Sequence, residues 1–319
     1  MPSVRAWASR KGRLEELQGH EAIREAARDR HAQLWIDLTA PSPGELRAVA
    51  DLLGLHPLIV EDISERNQRA KAEMTGEVLH IVMFGLRYDG KLERPEVDAV
   101  LGRRFLLTAH DADWQPDPAV ARIGIETLLS GGPDYVLYAI VDWLVDGYLP
   151  VFDRIGDELD ALEDEIVRRP EARQVERLFA VKRDLLEMRH AVSPQREVLN
   201  MLTTRDLPYV RPERVLYFRD VYDHLVRFTD ELDTYRELAS TALEAYLSTV
   251  NNNLSVVMKR LTAITAILAG VGAVAGIFGM SEATAAFQAS EGPGFWLVAG
   301  GVLLVGAVVW VYFRAIDWI

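Results

Sequence analysis

The sequence predicts an α/β cytoplasmic domain followed by a long stalk helix and a two-helix transmembrane hairpin. Strand-like and helix-like segments alternate through the first 149 residues. Between Pro212 and Gly270 there is neither Pro nor Gly, so nothing interrupts a helix there. Residues 261–280 and 294–313 carry no charged side chain.

In residues 1–149, LWIDL (34–38), EVLHIVMFGLRY (77–88) and RRFLLTAH (103–110) are rich in apolar and β-forming residues and read as strands. PSPGELRAVADLLGL (41–55) reads as a helix capped at Ser42 or Pro43, and IVEDISE (59–65) as a second helical piece. YDGK (88–91) centres on Asp-Gly, a turn signal. No G-x-G-x-x-G, Walker loop, G-x-S-x-G or H-E-x-x-H occurs, so an enzyme is not expected. The seven histidines form no i,i+4 pair and are expected to be surface or structural residues. With no cysteine in the chain, disulfides, thiolate metal sites and thiol chemistry are excluded.

Residues 150–207 read as an antiparallel helical hairpin of the same domain. Its helices, within 150–193, break at Pro170. Ile155, Leu159, Leu162 and Ile166 make one apolar face. Asp153, Asp157, Glu158, Asp160, Glu163, Asp164 and Glu165 crowd the rest. Such a run forms a solvated face or, beside a pore, concentrates cations.

Residues 208–260 are the cytoplasmic part of the stalk. Pro208 and Pro212 signal its start. Val221, Leu225, Phe228, Leu232, Tyr235, Ala239, Ala242, Tyr246 and Thr249 alternate spacings of four and three, a heptad seam. A single helix from Glu213 to Met280 spans ~100 Å, too long to bury within one small domain, so its seam is expected to pack against copies of itself.

Two charge-free runs of 20 residues then follow, each ~30 Å as a helix, the thickness of a bilayer core. They are the first (261–280) and second (294–313) transmembrane helices, joined by an outer loop (281–293). Lys259, Arg260 and Arg314 flank the spans, and the loop holds no Lys or Arg, so both termini face the cytoplasm, the second through a short tail (314–319). Trp296, Trp310, Tyr312, Phe313 and Trp318 sit near the ends of the second span as interfacial anchors. Gly272 and Gly276 form a small-xxx-small pair, which permits close helix approach. The chain is acidic, with a net charge of −13, so nucleic acid is a poor partner and a cation a better one.

Several stretches resemble the CorA family of divalent metal-ion transport proteins. HPLIVEDISERNQRAKAEM (56–74) resembles a helix and loop of that family, and residues 216–262 its stalk helix. GIFGM (276–280) resembles the start of its Tyr-Gly-Met-Asn signature, and VYFRAIDWI (311–319) its basic-aromatic end. The resemblance implies a homopentameric funnel in the cell (inner) membrane of a bacterium or archaeon. Five first spans would line a pore for Mg²⁺, with Co²⁺ and Ni²⁺ tolerated. It assigns Ser255, Met258, Leu261, Ala269, Gly272 and Gly276 to the pore lining, with Met258 and Leu261 as the apolar constriction. Gly279, Met280, Ser281 and Glu282 form the outer mouth. Asp89 and Asp220 look like the family's inter-subunit regulatory Mg²⁺ site. The resemblance implies no cofactor beyond Mg²⁺ as transported and regulatory ion; the partners are identical subunits and the lipid bilayer.

Two departures bear on the ion. Ser281 stands where the signature has Asn, and Glu282 follows it. The mid-pore segment AGVGA (269–273) is smaller than the family's and lacks its Pro. Alternatives are therefore a Zn²⁺ transporter on the same scaffold, or a weakly selective or non-conducting CorA-like homologue.

Overall fold

The computed structural model describes residues 3–66, 68–89, 91–204, 207–279, 294–316 and 318. By internal contact the chain forms two units, Met1–Glu163 with Val175–Thr241, and Asp164–Gln174 with Ala242–Ile319.

Strands β1 (Val4–Arg10), β2 (Arg13–Glu16), β3 (Ala32–Thr39), β4 (Lys71–Thr75), β5 (Val78–Phe84), β8 (Glu96–Leu101) and β9 (Phe105–His110) make one sheet. Its order is β2-β1-β3-β9-β8-β5-β4. Neighbours are antiparallel except β3 and β9, which pair in parallel with Asp37 opposite Thr108. The short strands β6 (Arg87–Tyr88) and β7 (Leu92–Glu93) form a separate ribbon between β5 and β8.

Helices α1 (Gly19–Arg28), α2 (Pro43–Leu53) and α3 (Pro57–Glu65) cover one face of the sheet. Ile23, Leu46, Val49, Ile59 and Ile63 meet Leu34, Ile36, Val100 and Leu107 there. Helices α4 (Asp117–Ile123), α5 (Ile125–Ser130) and α6 (Pro133–Asp146) cover the other face. Ser42 caps α2 in a reciprocal box with Glu45, and Gly54 ends it at φ 67°, a left-handed position that glycine takes without a Cβ clash.

The expected strands are present with shifted ends. EVLHIVMFGLRY is not continuous: β5 stops at Phe84, and the chain resumes as β6 after Gly85 and Leu86. Gly85 donates to the Pro95 carbonyl at 2.9 Å, and a Cβ there would lie 3.1 Å from the Pro95 ring, so the strand closes into a narrow root. In RRFLLTAH the arginines belong to the β8–β9 turn, and β9 starts at Phe105.

Three long helices follow: α7 (Leu149–Arg168), α8 (Ala172–Thr204) and α9 (Pro212–Gly279). α8 does not end at Ser193. It runs on through Pro194, because Ala191, Val192, Gln195, Val198 and Leu199 are all buried and hold the turn despite one missing donor. The stalk seam is also placed differently from expectation. Val221, Leu225, Phe228, Leu232, Ala239 and Ala242 are buried within the single chain. Phe228 packs on Phe152 (4.7 Å) and Tyr148 (5.7 Å), and Arg189 and Lys182 of α8 reach Asp233 and Ser240. The chain's own α7 and α8 thus take the role expected of copies. The helix itself is unbroken for 68 residues, or ~100 Å. The second apolar run forms α10 (Gly294–Ala315).

Hydropathy alone does not separate core from membrane here. The apolar window in α6–α7 has a mean hydropathy of 1.3 and is 56% buried, whereas that of α9 has 1.7 and is 6% buried. The first is a core helix packed on the sheet. The second exposes its apolar side chains, which demands a non-aqueous surround.

Candidate functional site

The apolar end of α9 has two faces. Ala263, Ile267, Val271 and Val274 are the partly or wholly covered positions of 261–277; all others there are exposed. On α10 the half-covered positions among 299–314 are Ala299, Val302, Gly306, Val309 and Phe313. Both sets repeat at three- and four-residue spacing, the signature of two helices meeting along a seam. A Cβ added at Gly306 would sit 3.8 Å from Val271. So Gly306, not the Gly272/Gly276 pair, lies at this contact. A Cβ at Gly270, Gly272 or Gly276 would meet nothing within 4 Å.

At 100° per residue, Ser255, Met258, Leu261, Ala269, Gly272 and Gly276 fall within an arc of ~120° on α9. That arc is centred ~180° from the seam with α10. All six are exposed, Met258 at 58% and Leu261 at 60%. The six pore candidates therefore share one open face of small and apolar residues, turned away from the chain's other span. Gly279 is the last residue of α9, and Met280, Ser281 and Glu282 lie outside the described residues.

The two regulatory candidates are both exposed. Asp89 follows β6 at the tip of the β6–β7 ribbon, where its amide donates to the Lys91 carbonyl at 3.3 Å. The ribbon is braced by Arg87, which bonds Glu93 and the Asp113 carbonyl, and by Arg154 over the Tyr88 ring at 4.5 Å. Asp220 lies on α9, one turn before His224. Its charge is felt on α6: burial first, then the charge of Asp146, raises Asp142, and Asp220 adds to the rise. Burial with Asp142 and Asp220 also pushes Tyr138 up to about 12. Asp142 and Asp146 are thus acidic neighbours of Asp220 that the sequence reading passed over. Their i,i+4 spacing in the segment DWLVD was the available signal. Among the described residues no group of three or more His, Asp or Glu side chains is gathered so as to hold a metal.

Two buried ionic clusters in the sheet leave no local sequence signal, because their members come from separate strands. On the α6 face, Asp37 receives Thr108 (2.6 Å), His110 (3.2 Å) and Arg5 (2.8 Å). Burial pushes its carboxyl up, but these donors outweigh that and hold it below the usual range. On the α3 face, His80 Nε2 meets Asp98 at 2.9 Å, and its Nδ1 lies 3.9 Å from Asp62. Glu96 stands beside Asp98 on β8, two residues apart and on the same face.

An α/β/α domain joined to a pair of bilayer-length helices, one with an open face of small residues, fits a membrane transport protein. A family model described as CorA-like Mg²⁺ transporter protein matches residues 31–314. The chain belongs to that family. It is 35% identical over 300 residues to the cobalt/magnesium transport protein CorA of Thermotoga maritima, covering 92% of this chain and 85% of that protein. Its fold is similar to the complete CorA magnesium transporter structure from Methanocaldococcus jannaschii, with a TM-score of 0.80 at 22% identity over 100% and 99% of the chains. A more distant likeness is to the ZntB cytoplasmic domain of Vibrio parahaemolyticus, with a TM-score of 0.59 at 11% identity over 78% and 98%.

Proposed function

We propose that the protein is one subunit of a homopentameric channel for divalent cations, chiefly Mg²⁺ with Co²⁺ and Ni²⁺. It sits in the cell membrane of a bacterium or archaeon with both termini in the cytoplasm. The observation that carries this is the open face of α9. Six residues assigned to a pore share one arc, and α10 occupies the opposite side. Five copies then place α9 inside and α10 outside.

The residues suit a hydrated ion. Gly276, Gly272 and Ala269 leave room for its water shell, which Mg²⁺ gives up reluctantly. Leu261 and Met258 form an apolar constriction that closes by dewetting. Ser281 and Glu282 form the outer mouth, where a carboxylate ring attracts cations. The membrane potential drives entry: ~100 mV contributes roughly 4.6 kcal/mol for two charges. No resident cofactor takes part. Asp89 of one subunit and Asp220 of its neighbour hold regulatory Mg²⁺, whose loss releases carboxylate repulsion and favours the open state.

The natural absence of cysteine makes the test clean. Single cysteines at Ser255, Gly272 and Val274 are reconstituted in liposomes loaded with Mg²⁺- and Zn²⁺-sensitive dyes. A charged thiol reagent is expected to block Mg²⁺ uptake at Ser255 and Gly272 and to spare Val274. Unaltered uptake after modification at the first two would remove that face from the pathway. Zn²⁺ uptake without Mg²⁺ uptake would move the assignment to the zinc alternative.

A further inference from the structure

The sheet holds an ionisable pair that ion conduction does not use. Glu96 and Asp98 are 6% and 1% exposed. Each has a buried carboxyl oxygen, Oε1 and Oδ2, without a hydrogen-bond partner. Buried polar atoms are rarely left so, and each calls for a proton, a water or an ion. Being i and i+2 on one strand face, their Cβ atoms lie about 7 Å apart, so the two carboxyls are neighbours in a dry place. Like charges so placed cannot both ionise without a large cost. Charged and titratable side chains of several elements surround them. Asp62 and Arg66 come from α3 and its C-cap, His80 from β5, Lys71 from β4, and Asp111 from just beyond β9. Lys71 is committed to Asp62, Arg66 to Asp111, and His80 to Asp98, so none of these three bonds Glu96.

The position of Glu96 gives this pair a lever. It starts β8 and stands in register opposite Phe84, the last residue of β5. These two residues close the root of the segment 85–95, whose tip carries Asp89.

We propose that Glu96 is held protonated beside the buried Asp98, and that release of its proton loosens the root of the 85–95 hairpin. The cytoplasmic domain then carries a proton site that reports internal pH to the ribbon bearing Asp89. The hairpin's response stands on the sheet geometry alone; its effect on gating rests on the regulatory role proposed for Asp89. Burial first, and then the Asp98 charge, push the Glu96 carboxyl up to about 7. A raised acid stabilises the fold at low pH, and that stability is lost as pH rises from about 4.5 to about 7.

The test uses the full-length protein in detergent and hydrogen exchange read by mass spectrometry. After correction for intrinsic rates, exchange in 85–95 is expected to rise about tenfold between pH 6 and pH 8. Glu96→Gln keeps the shape and removes the charge, and its hairpin should stay protected throughout. Equal pH dependence in wild type and Glu96→Gln overturns the proposal. Should the variant not fold, wild type alone decides: its thermal midpoint must fall between pH 4.5 and 7, and a flat midpoint overturns it. Asp89→Ala separates the two claims. It should leave the pH dependence of exchange intact whether or not it abolishes inhibition by Mg²⁺; loss of the pH dependence in Asp89→Ala overturns the assignment to Glu96.

Discussion

A single side chain joins the sheet to the long helices. Gln195 on α8 presents Oε1 to the Phe84 amide (3.2 Å) and Nε2 to the Phe84 carbonyl (3.1 Å) and the Tyr148 hydroxyl (2.6 Å). Strand β4 ends its pairing at Val82, so Gln195 supplies what the edge strand no longer offers. Its own burial is complete. Gln195→Leu leaves the Phe84 carbonyl with the Tyr148 hydroxyl, which already donates to it, and strands the Phe84 amide. An unsatisfied buried backbone group costs ~1–3 kcal/mol, so the loss should be about 2 kcal/mol. A midpoint shift in denaturant within error of zero would show that water takes the place of Gln195. Nothing in the sequence marked this residue. It lies beside Pro194, where a helix end was expected, and its partners come from more than 40 positions away.

Elements were legible wherever local chemistry decides them. The segment 41–55 is legible as a helix from its cap, and Ser42 and Glu45 form that cap on Pro43–Leu53. Hydrogen bonds from the Ser3 and Ser42 side chains and the Ser42 amide hold Glu45 down to about 2. A lowered acid stabilises above its unfolded value, and that contribution is lost as pH falls from about 4.5 to about 2. Ser42→Ala should cost ~1 kcal/mol at neutral pH. The difference from wild type should shrink in acid unfolding below pH 4, and a constant difference would contradict the reciprocal cap. Strand β8 was not legible, since EVDAVL carries two acids and yet is buried at every position. α6 was not legible because nine of its 14 residues are buried, which blurs the periodicity of a half-exposed helix. The stalk seam was read as a seam correctly, but its partner was not. Heptad spacing fixes which side of a helix is covered and leaves open what covers it.

The regulatory role proposed for Asp89 and Asp220 belongs to the scale of the whole assembly. Asp89 and Asp220 are both on the first unit and both exposed, positions suited to a bond between subunits. Channels with Asp89→Ala and Asp220→Ala together should remain open at internal Mg²⁺ levels that close the wild type, with at least a tenfold loss of inhibitor potency. Full inhibition in the double variant, measured by flux into liposomes, would end that assignment. Native mass spectrometry should give five chains for wild type and variant alike; any other number would require a different ring around α9.

The seam between α9 and α10 also bears on how the protein is made. Gly306 meets Val271 within one chain, so each newly inserted polypeptide can pair its two spans before it finds another. In the proposed ring, biogenesis then has two stages: hairpins settle singly in the bilayer, and the flanks of α9 afterwards trade lipid for neighbouring copies while the strip of Ala269, Gly272 and Gly276 turns from lipid to the water of the pore.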